Sequence, residues 1–294
     1  MDQIEERITI VTVCDRHYLI LLAALIKSIE VNYKGTDYID IYIVGDGLKE
    51  DDEKKLQRSS NQQLIILHFL KMNKVIPPKI KLPLDGSSYP LNIYIRLFIP
   101  YFIPKAINKV IYMDVDMIVE ENINKLWKVN LHDLPVAAVL DSITQYICSP
   151  YGGVSNFEEL GLDPRSKYFN SGLLLINVKK WREQDLTSKI INCIDKNRKY
   201  AKFPDQYGLN VVFENQWLEL DPRWNCYVTN WEERKPFIIH YIRRKPIYKS
   251  YNNRLDYKQK FYDYLSLTEW ADSEPIGEPK RLLKKIKNVL QKVW

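Results

Sequence analysis

No apolar run in the 294 residues approaches the roughly 20 needed to cross a bilayer. Cysteine is scarce: Cys14, Cys148, Cys193 and Cys226 are separated by 134, 45 and 33 residues. No pair has the spacing of a zinc or redox motif, so reduced thiols are expected. The first seven residues, Met-Asp-Gln-Ile-Glu-Glu-Arg, lack the basic start and apolar stretch of a signal peptide, which points to a cytoplasmic protein. Internal repeats and low-complexity linkers are also missing. With 46% hydrophobic and 27% charged residues, the composition excludes disorder, collagen and a disulfide scaffold, and the length suffices for a sizeable core. The main body carries no excess of either charge. The formal net charge is +6, and residues 280–294 alone hold six basic residues (Lys280, Arg281, Lys284, Lys285, Lys287, Lys292) and no acid. A nucleic-acid binder spreads its basic charge over a folded face, so no nucleic-acid partner is expected.

What is present is an alternation of strand and helix patterns. Ile8–Val13 is a β-branched run typical of a buried strand, and Leu19–Ile29 reads as a helix. Ile39–Val44 and Leu64–Phe69 read as strands on either side of a charged helix over Lys49–Arg58. Further strands are expected at Lys109–Met113, Val136–Leu140 and Leu173–Asn177, and helices at Thr187–Tyr200 and Gln206–Phe213. Ile238 and Ile239 end a short apolar strand before His240. The pattern is that of an α/β fold with βαβ units and a largely parallel sheet.

The residues able to do chemistry cluster at the ends of these strands. Asp114-Val115-Asp116 follows Lys109–Met113, where an open α/β sheet binds its ligands. Hard carboxylate oxygens there suit Mg²⁺ or Mn²⁺, and such a metal can also bind a diphosphate, although Asp-x-Asp alone also matches by chance as a solvated turn. His240 adds an imidazole, which favours manganese; by itself a lone histidine is more often a packed one. Lys245 is a counter-charge for phosphate or simply one of the cations Arg243-Arg244-Lys245. Asp205-Gln206, after Pro204, either caps a helix or faces a sugar. Asn170-Ser171-Gly172 reads as a turn before a strand, or as a close backbone approach to a ligand.

Taken in order, these pieces resemble glycosyltransferase family 8, which includes glycogenin and bacterial lipopolysaccharide galactosyl- and glucosyltransferases. The likeness spans roughly residues 7–247. It rests on Ile10-Val11-Thr12-Val13-Cys14-Asp15 with Tyr18; Tyr94-Ile95-Arg96-Leu97; Val110 through Asp116; Tyr168-Phe169-Asn170-Ser171-Gly172 with Leu174-Leu175-Ile176-Asn177 and Trp181; Pro204-Asp205-Gln206 with Leu209-Asn210; and His240 with Lys245-Pro246. The resemblance implies a GT-A type, Rossmann-like mixed sheet flanked by helices over residues 1–250, followed by a C-terminal helical extension over 251–294. It implies a retaining transfer of glucose or galactose from a UDP-sugar to a glycan or lipid-linked saccharide. Asp114, Asp116 and His240 would hold Mn²⁺, with Mg²⁺ as the substitute. Asp15 would read the uracil edge, with Val13, His17, Tyr18 and the backbone of Val115 around the nucleoside. Arg96, Asp114, Asn170, Ser171, Gly172, Asp205 and Gln206 would surround the hexose, with Gln206, Asp205 and Arg96 as the catalytic set. Lys245 would meet the diphosphate, and Asp141 would lie near the acceptor. The chain departs from the family at His17, where Asn is common. It also has His240-Tyr-Ile-Arg-Arg-Lys245-Pro246-Ile247 where the family has His-x-x-Gly-x-x-Lys-Pro-Trp.

Two other classes compete with this reading. A sugar-1-phosphate nucleotidyltransferase would need a Gly-rich basic loop after the first strand, and Cys14-Asp15-Arg16-His17-Tyr18 contains no glycine. A non-catalytic sugar-nucleotide binding module would be expected to have lost part of its metal set. The tail adds a separate expectation. Apolar residues at 282, 283, 286, 289, 290 and 293 share one face of a helix, opposite Lys284, Lys285, Lys287 and Lys292, and Trp294 ends the chain. Such a helix either docks on protein or lies on an anionic membrane, which here would be the inner face of the cell membrane.

Overall fold

The computed structural model describes residues 7–83, 90–229 and 234–290. The first part contains β1 (Thr9–Asp15), α1 (Leu19–Asn32), β2 (Ile39–Asp46), α2 (Glu50–Ser59), β3 (Ile65–Lys71) and α3 (Met72–Val75). A 3₁₀ segment, Leu91–Phe98, leads to α4 (Ile99–Phe102), β4 (Lys109–Met113), β5 (Met117–Val119), α5 (Asn124–Trp127) and β6 (Val136–Leu140). Next come β7 (Phe169–Asn177), α6 (Val178–Glu183), α7 (Leu186–Lys196), α8 (Pro204–Val212) and β8 (Leu218–Glu219). The chain closes with β9 (Cys226–Tyr227), β10 (Ile238–His240), α9 (Leu255–Leu265) and α10 (Glu278–Leu290).

Seven strands form a sheet in the order β3-β2-β1-β4-β7-β6-β8, and β5, β10 and β9 form a second, three-stranded sheet. β1, β2, β3 and β4 run parallel, as do β6 and β8, but β7 is antiparallel to both β4 and β6. The sheet is therefore mixed, as the resemblance implied, with β7 the one strand that runs against six parallel ones. The reason is local: residues 141–168 between β6 and β7 form turns without an α-helix, so no crossover carries the chain back to start a parallel strand. β7 also begins earlier than its apolar pattern suggests. Asn170, Ser171 and Gly172 are strand residues, not a turn.

Alternation along the strands builds two apolar layers. Ile10, Ile41, Ile43, Ile111, Met113 and Leu175 face α1, whose helix is apolar nearly all round and buried along most of its length. Val11, Val44, Val110, Tyr112, Leu174 and Ile176 face the other way, against Phe98, Trp181, Ile190 and Tyr207. Tyr257, Phe261 and Leu265 of α9 join the first layer.

This topology gathers the polar residues at one edge. β1, β4 and β6 point the same way, so Asp15, Asp114 and Asp141 lie at their carboxyl ends. Because β7 runs the opposite way, its first residues start at that same edge, with Leu173 opposite Met113.

Candidate active site

Asp114, Asp116 and His240 each offer a ligand atom, and these atoms all lie within 4.8 Å of one another. β10 runs antiparallel to β5 with His240 opposite Met117, which sets the imidazole beside Asp116. The Asp114 amide donates to the Gly172 carbonyl at 2.8 Å, tying the loop after β4 to β7. His240 Nδ1 lies 2.8 Å from Asn225 Oδ1, and Asn225 Nδ2 donates to Asn170 Oδ1 at 2.8 Å. An amide oxygen only accepts, so Nδ1 carries the proton and Nε2 turns its lone pair toward Asp116 Oδ1, 3.5 Å away. A Cβ on Gly172 would fall 2.7 Å from the imidazole and 2.8 Å from Asp114 Oδ2, so only glycine leaves this cradle open. Two carboxylates and a lone-pair nitrogen at this spacing fit a divalent cation.

The two carboxylates differ. Burial raises the Asp114 carboxyl above the usual carboxylate range, against the pull of Arg96. Asp116 is buried too, but Lys245 and His240 hold it well below that range. Lys245 donates directly to Asp116 Oδ2 and to the Tyr241 carbonyl.

A cavity of about 840 Å³ opens on one side of Asp114 and Asp116. Val13, Asp15, Tyr18, Arg96 and Val115 line it, and Arg243, Arg244, Lys245, Arg281 and Lys284 give it a cationic wall. Asp15 is held by its own turn, with Oδ1 accepting from the His17 amide at 2.9 Å. His17 is the one expected nucleoside contact that does not line this cavity. Its ring meets the hydroxyl of Tyr248, which does line the cavity, with Nε2 2.9 Å away.

A second cavity of about 420 Å³ shares Arg96, Asp114 and Lys245 with the first and extends to Asp141, Asn170, Ser171, Gly172, Asp205 and Gln206. Asp205 does not cap α8; its Oδ2 accepts from Ser171 Oγ at 3.0 Å and pairs with Arg96 Nε at 3.1 Å. Arg96 also donates to Asp114 Oδ1 at 2.9 Å, so one buried guanidinium braces carboxylates from β4 and α8. Gln206 Oε1 accepts from the Ser171 amide and from Asn170 Nδ2, both at 3.0 Å, and Gln206 Nε2 donates to Asp141 Oδ2 at 3.3 Å. Asp141 lines the cavity but is heavily engaged, since Oδ1 takes the amides of Ile143 and Thr144 and Oδ2 takes the Tyr227 hydroxyl at 2.9 Å. Asn210 clamps Phe169, accepting from its amide at 2.7 Å and donating to its carbonyl at 2.9 Å, which fixes α8 on the start of β7.

Sequence reasoning missed several participants. Tyr112 donates to Asp114 Oδ1 at 2.7 Å, and strand alternation from Asp114 was a usable signal for it. Asn225 and Tyr227 carried no signal, because they reach the site only through the short second sheet and the 3₁₀ turn that leads into it. The tail differs most. Lys284 does not share a solvent face opposite the leucines; its ammonium lies 2.7 Å from Asp15 Oδ2, and only 10% of the side chain is exposed. Leu282, Leu283, Ile286 and Leu290 point outward and are each about half exposed or more. Lys292, Val293 and Trp294 lie outside the described residues, as do the side chains of Lys285, Lys287 and Val289.

Solved structures with this fold are GT-A glycosyltransferases. The galactosyltransferase LgtC, in the form of an active-site mutant, superposes with a TM-score of 0.74 at 21% identity, over 93% of this chain and 99% of that one. The bifunctional WbbM has the same TM-score at 22% identity, over 92% of this chain and 52% of its own. The chain belongs to glycosyl transferase family 8, whose profile matches residues 9–247, and it is a glycosyltransferase. General stress protein A of Bacillus subtilis is 28% identical, covering 94% of this chain and 98% of that protein. The lipopolysaccharide 1,2-glucosyltransferase of Escherichia coli is 25% identical over 75% of this chain and 62% of its own length.

Proposed function

We propose that this enzyme moves a hexose, glucose or galactose, from a UDP-sugar to a saccharide or glycolipid acceptor with retention of configuration. The observation that carries this is that Asp114, clustered with Asp116 and His240, lines both cavities: one is large and cationic enough for a nucleoside diphosphate, the other lined by hydrogen-bonding groups suited to a sugar. Mn²⁺, with Mg²⁺ as a weaker substitute, would neutralise charge on the leaving diphosphate when bound to these three residues. Asp15 accepts the uracil N3–H, and Val13, Tyr18 and Val115 pack around the nucleoside. Arg96, Asp205 and Gln206 orient the hexose.

Asp205 is committed to Arg96 and Ser171, and Asp141 to backbone amides and Tyr227. Neither is a free nucleophile for a double displacement, and Gln206 is an amide. The acceptor hydroxyl therefore attacks from the face that the diphosphate leaves, and a phosphate oxygen takes its proton. A donor screen by UDP release tests the reading. UDP-glucose or UDP-galactose should be turned over with Mn²⁺ and not with chelator. No release from either donor would overturn it.

We further propose that the outward leucines of α10 and the tail's remaining cations rest on an anionic membrane at the inner face, near a glycolipid acceptor. Leu283→Glu combined with Ile286→Glu should end sedimentation with anionic liposomes at low salt. Unchanged sedimentation, or none by the parent protein, would remove the membrane from this account.

A further inference from the structure

Lys284 belongs to a part of the chain beyond the family match at residues 9–247, yet it reaches the nucleotide cavity. Its ammonium sits on the carboxylate oxygen of Asp15 that the His17 amide leaves over, and that oxygen has no solvent-accessible surface to speak of. A nucleobase cannot touch a covered oxygen, so the ammonium must leave before a base can hydrogen-bond there.

We propose that Lys284 is a gate on the nucleobase subsite and thereby sets donor affinity from the C-terminal helix. The proposal rests on the reading of Asp15 as the acceptor of the uracil N3–H. A carboxylate oxygen has lone pairs for two donors, but this one is covered while Lys284 is in place, so the ammonium and the N3–H compete for it. Separating a buried ion pair is unfavourable unless the buried charge gains a new partner, which the base supplies.

The attachment of α10 suits a gate. Its first turn is anchored, with Glu278 accepting from Arg244 at 3.0 Å and from Arg281 at 2.7 Å, and the Ile276 amide donating to the Ile247 carbonyl at 2.7 Å. Gly277 stands just before it in open surroundings, where a Cβ would meet only Pro279 at 3.7 Å. Further along, the outward leucines make no comparable attachment, and Lys284 is the described contact with the cavity floor. The segment that carries Lys245 to Asp116 is the one that anchors α10, so gate and phosphate-side cation are mechanically joined.

Calorimetric titration of the full chain with UDP and, separately, with inorganic pyrophosphate, both at saturating Mn²⁺, tests this. Pyrophosphate has no base and does not need Asp15. Lys284→Met should tighten UDP about tenfold, the affinity a mostly closed gate withholds. Pyrophosphate should stay the same or weaken slightly, and Lys284→Arg should match the parent. Lys284→Gln must show the same direction as Lys284→Met, which covers a failure of either variant to fold. If UDP and pyrophosphate weaken together, Lys284 is a phosphate cation and the gate is wrong. If the parent binds UDP and the variants bind it no tighter, the gate alone falls. If parent and variants bind pyrophosphate but no UDP, the uracil reading of Asp15 falls and takes the gate with it.

Discussion

The two cavities of the site are built on opposite plans. On the nucleotide side, carboxylates with unequal environments are held by lysines that arrive from far along the chain: Lys245 on Asp116 and Lys284 on Asp15. On the sugar side, Asn170, Ser171, Gln206, Asp141 and Tyr227 already satisfy one another in a continuous network that runs through Asn225 to His240. In the proposed donor complex, ion pairs of the first kind stand where the ligand's own charges and donors would go, and they would be exchanged as it binds. The network of the second kind is preorganised and would need no rebuilding for the proposed sugar. The lesson is that affinity should be set on the first side and turnover on the second.

Substitutions can break that division. The largest effect is expected at the junction. Asp114→Ala or Asp116→Ala should lower turnover by roughly 10³-fold or more with Mn²⁺ supplied, because both faces of the site lose the cation. Steady-state rates beside an unchanged circular-dichroism spectrum will check this. Gln206→Ala comes next. It should lower turnover by about 10²-fold through misplacement of the sugar while leaving UDP affinity within about threefold. A calorimetric loss of UDP binding in that variant would mean the two sides are not separable. His240→Ala should weaken Mn²⁺ binding by about 100-fold, and Asn225→Ala, which only orients the imidazole, by about tenfold. Titration of the metal by its paramagnetic signal measures both, and equal effects would show that Asn225 does more than orient.

Much of the sheet was legible in the sequence. The strands Lys109–Met113 and Val136–Leu140 fall where their apolar runs begin and end, and the strand at Thr9–Asp15 is displaced by a residue or two. Buried strands need unbroken apolar faces on both sides, and that requirement is written locally. The helix at Leu186–Lys196 ends four residues before its expected limit, and Pro204–Val212 starts two before its own. The elements that escaped notice were short or polar. β5, β9 and the start of β7 carry too few apolar residues for a period to show, and they form because neighbouring strands satisfy their backbone groups.

By itself the sequence determined that a strand would end just before Asp114, that a carboxylate pair and a histidine were available for a cation, and that the tail from residue 282 would wind into a helix with an apolar face. Spacing and side-chain chemistry suffice for such statements. Only the tertiary structure decided that β7 runs antiparallel and so delivers Asn170–Gly172 to the Asp114, Asp116 and His240 cluster, that Asn225 sets the tautomer of His240, and that Lys284 turns inward to Asp15. A period tells which residues share a face. It does not tell which face meets which neighbour, because that depends on chain connections and burial summed over the whole molecule.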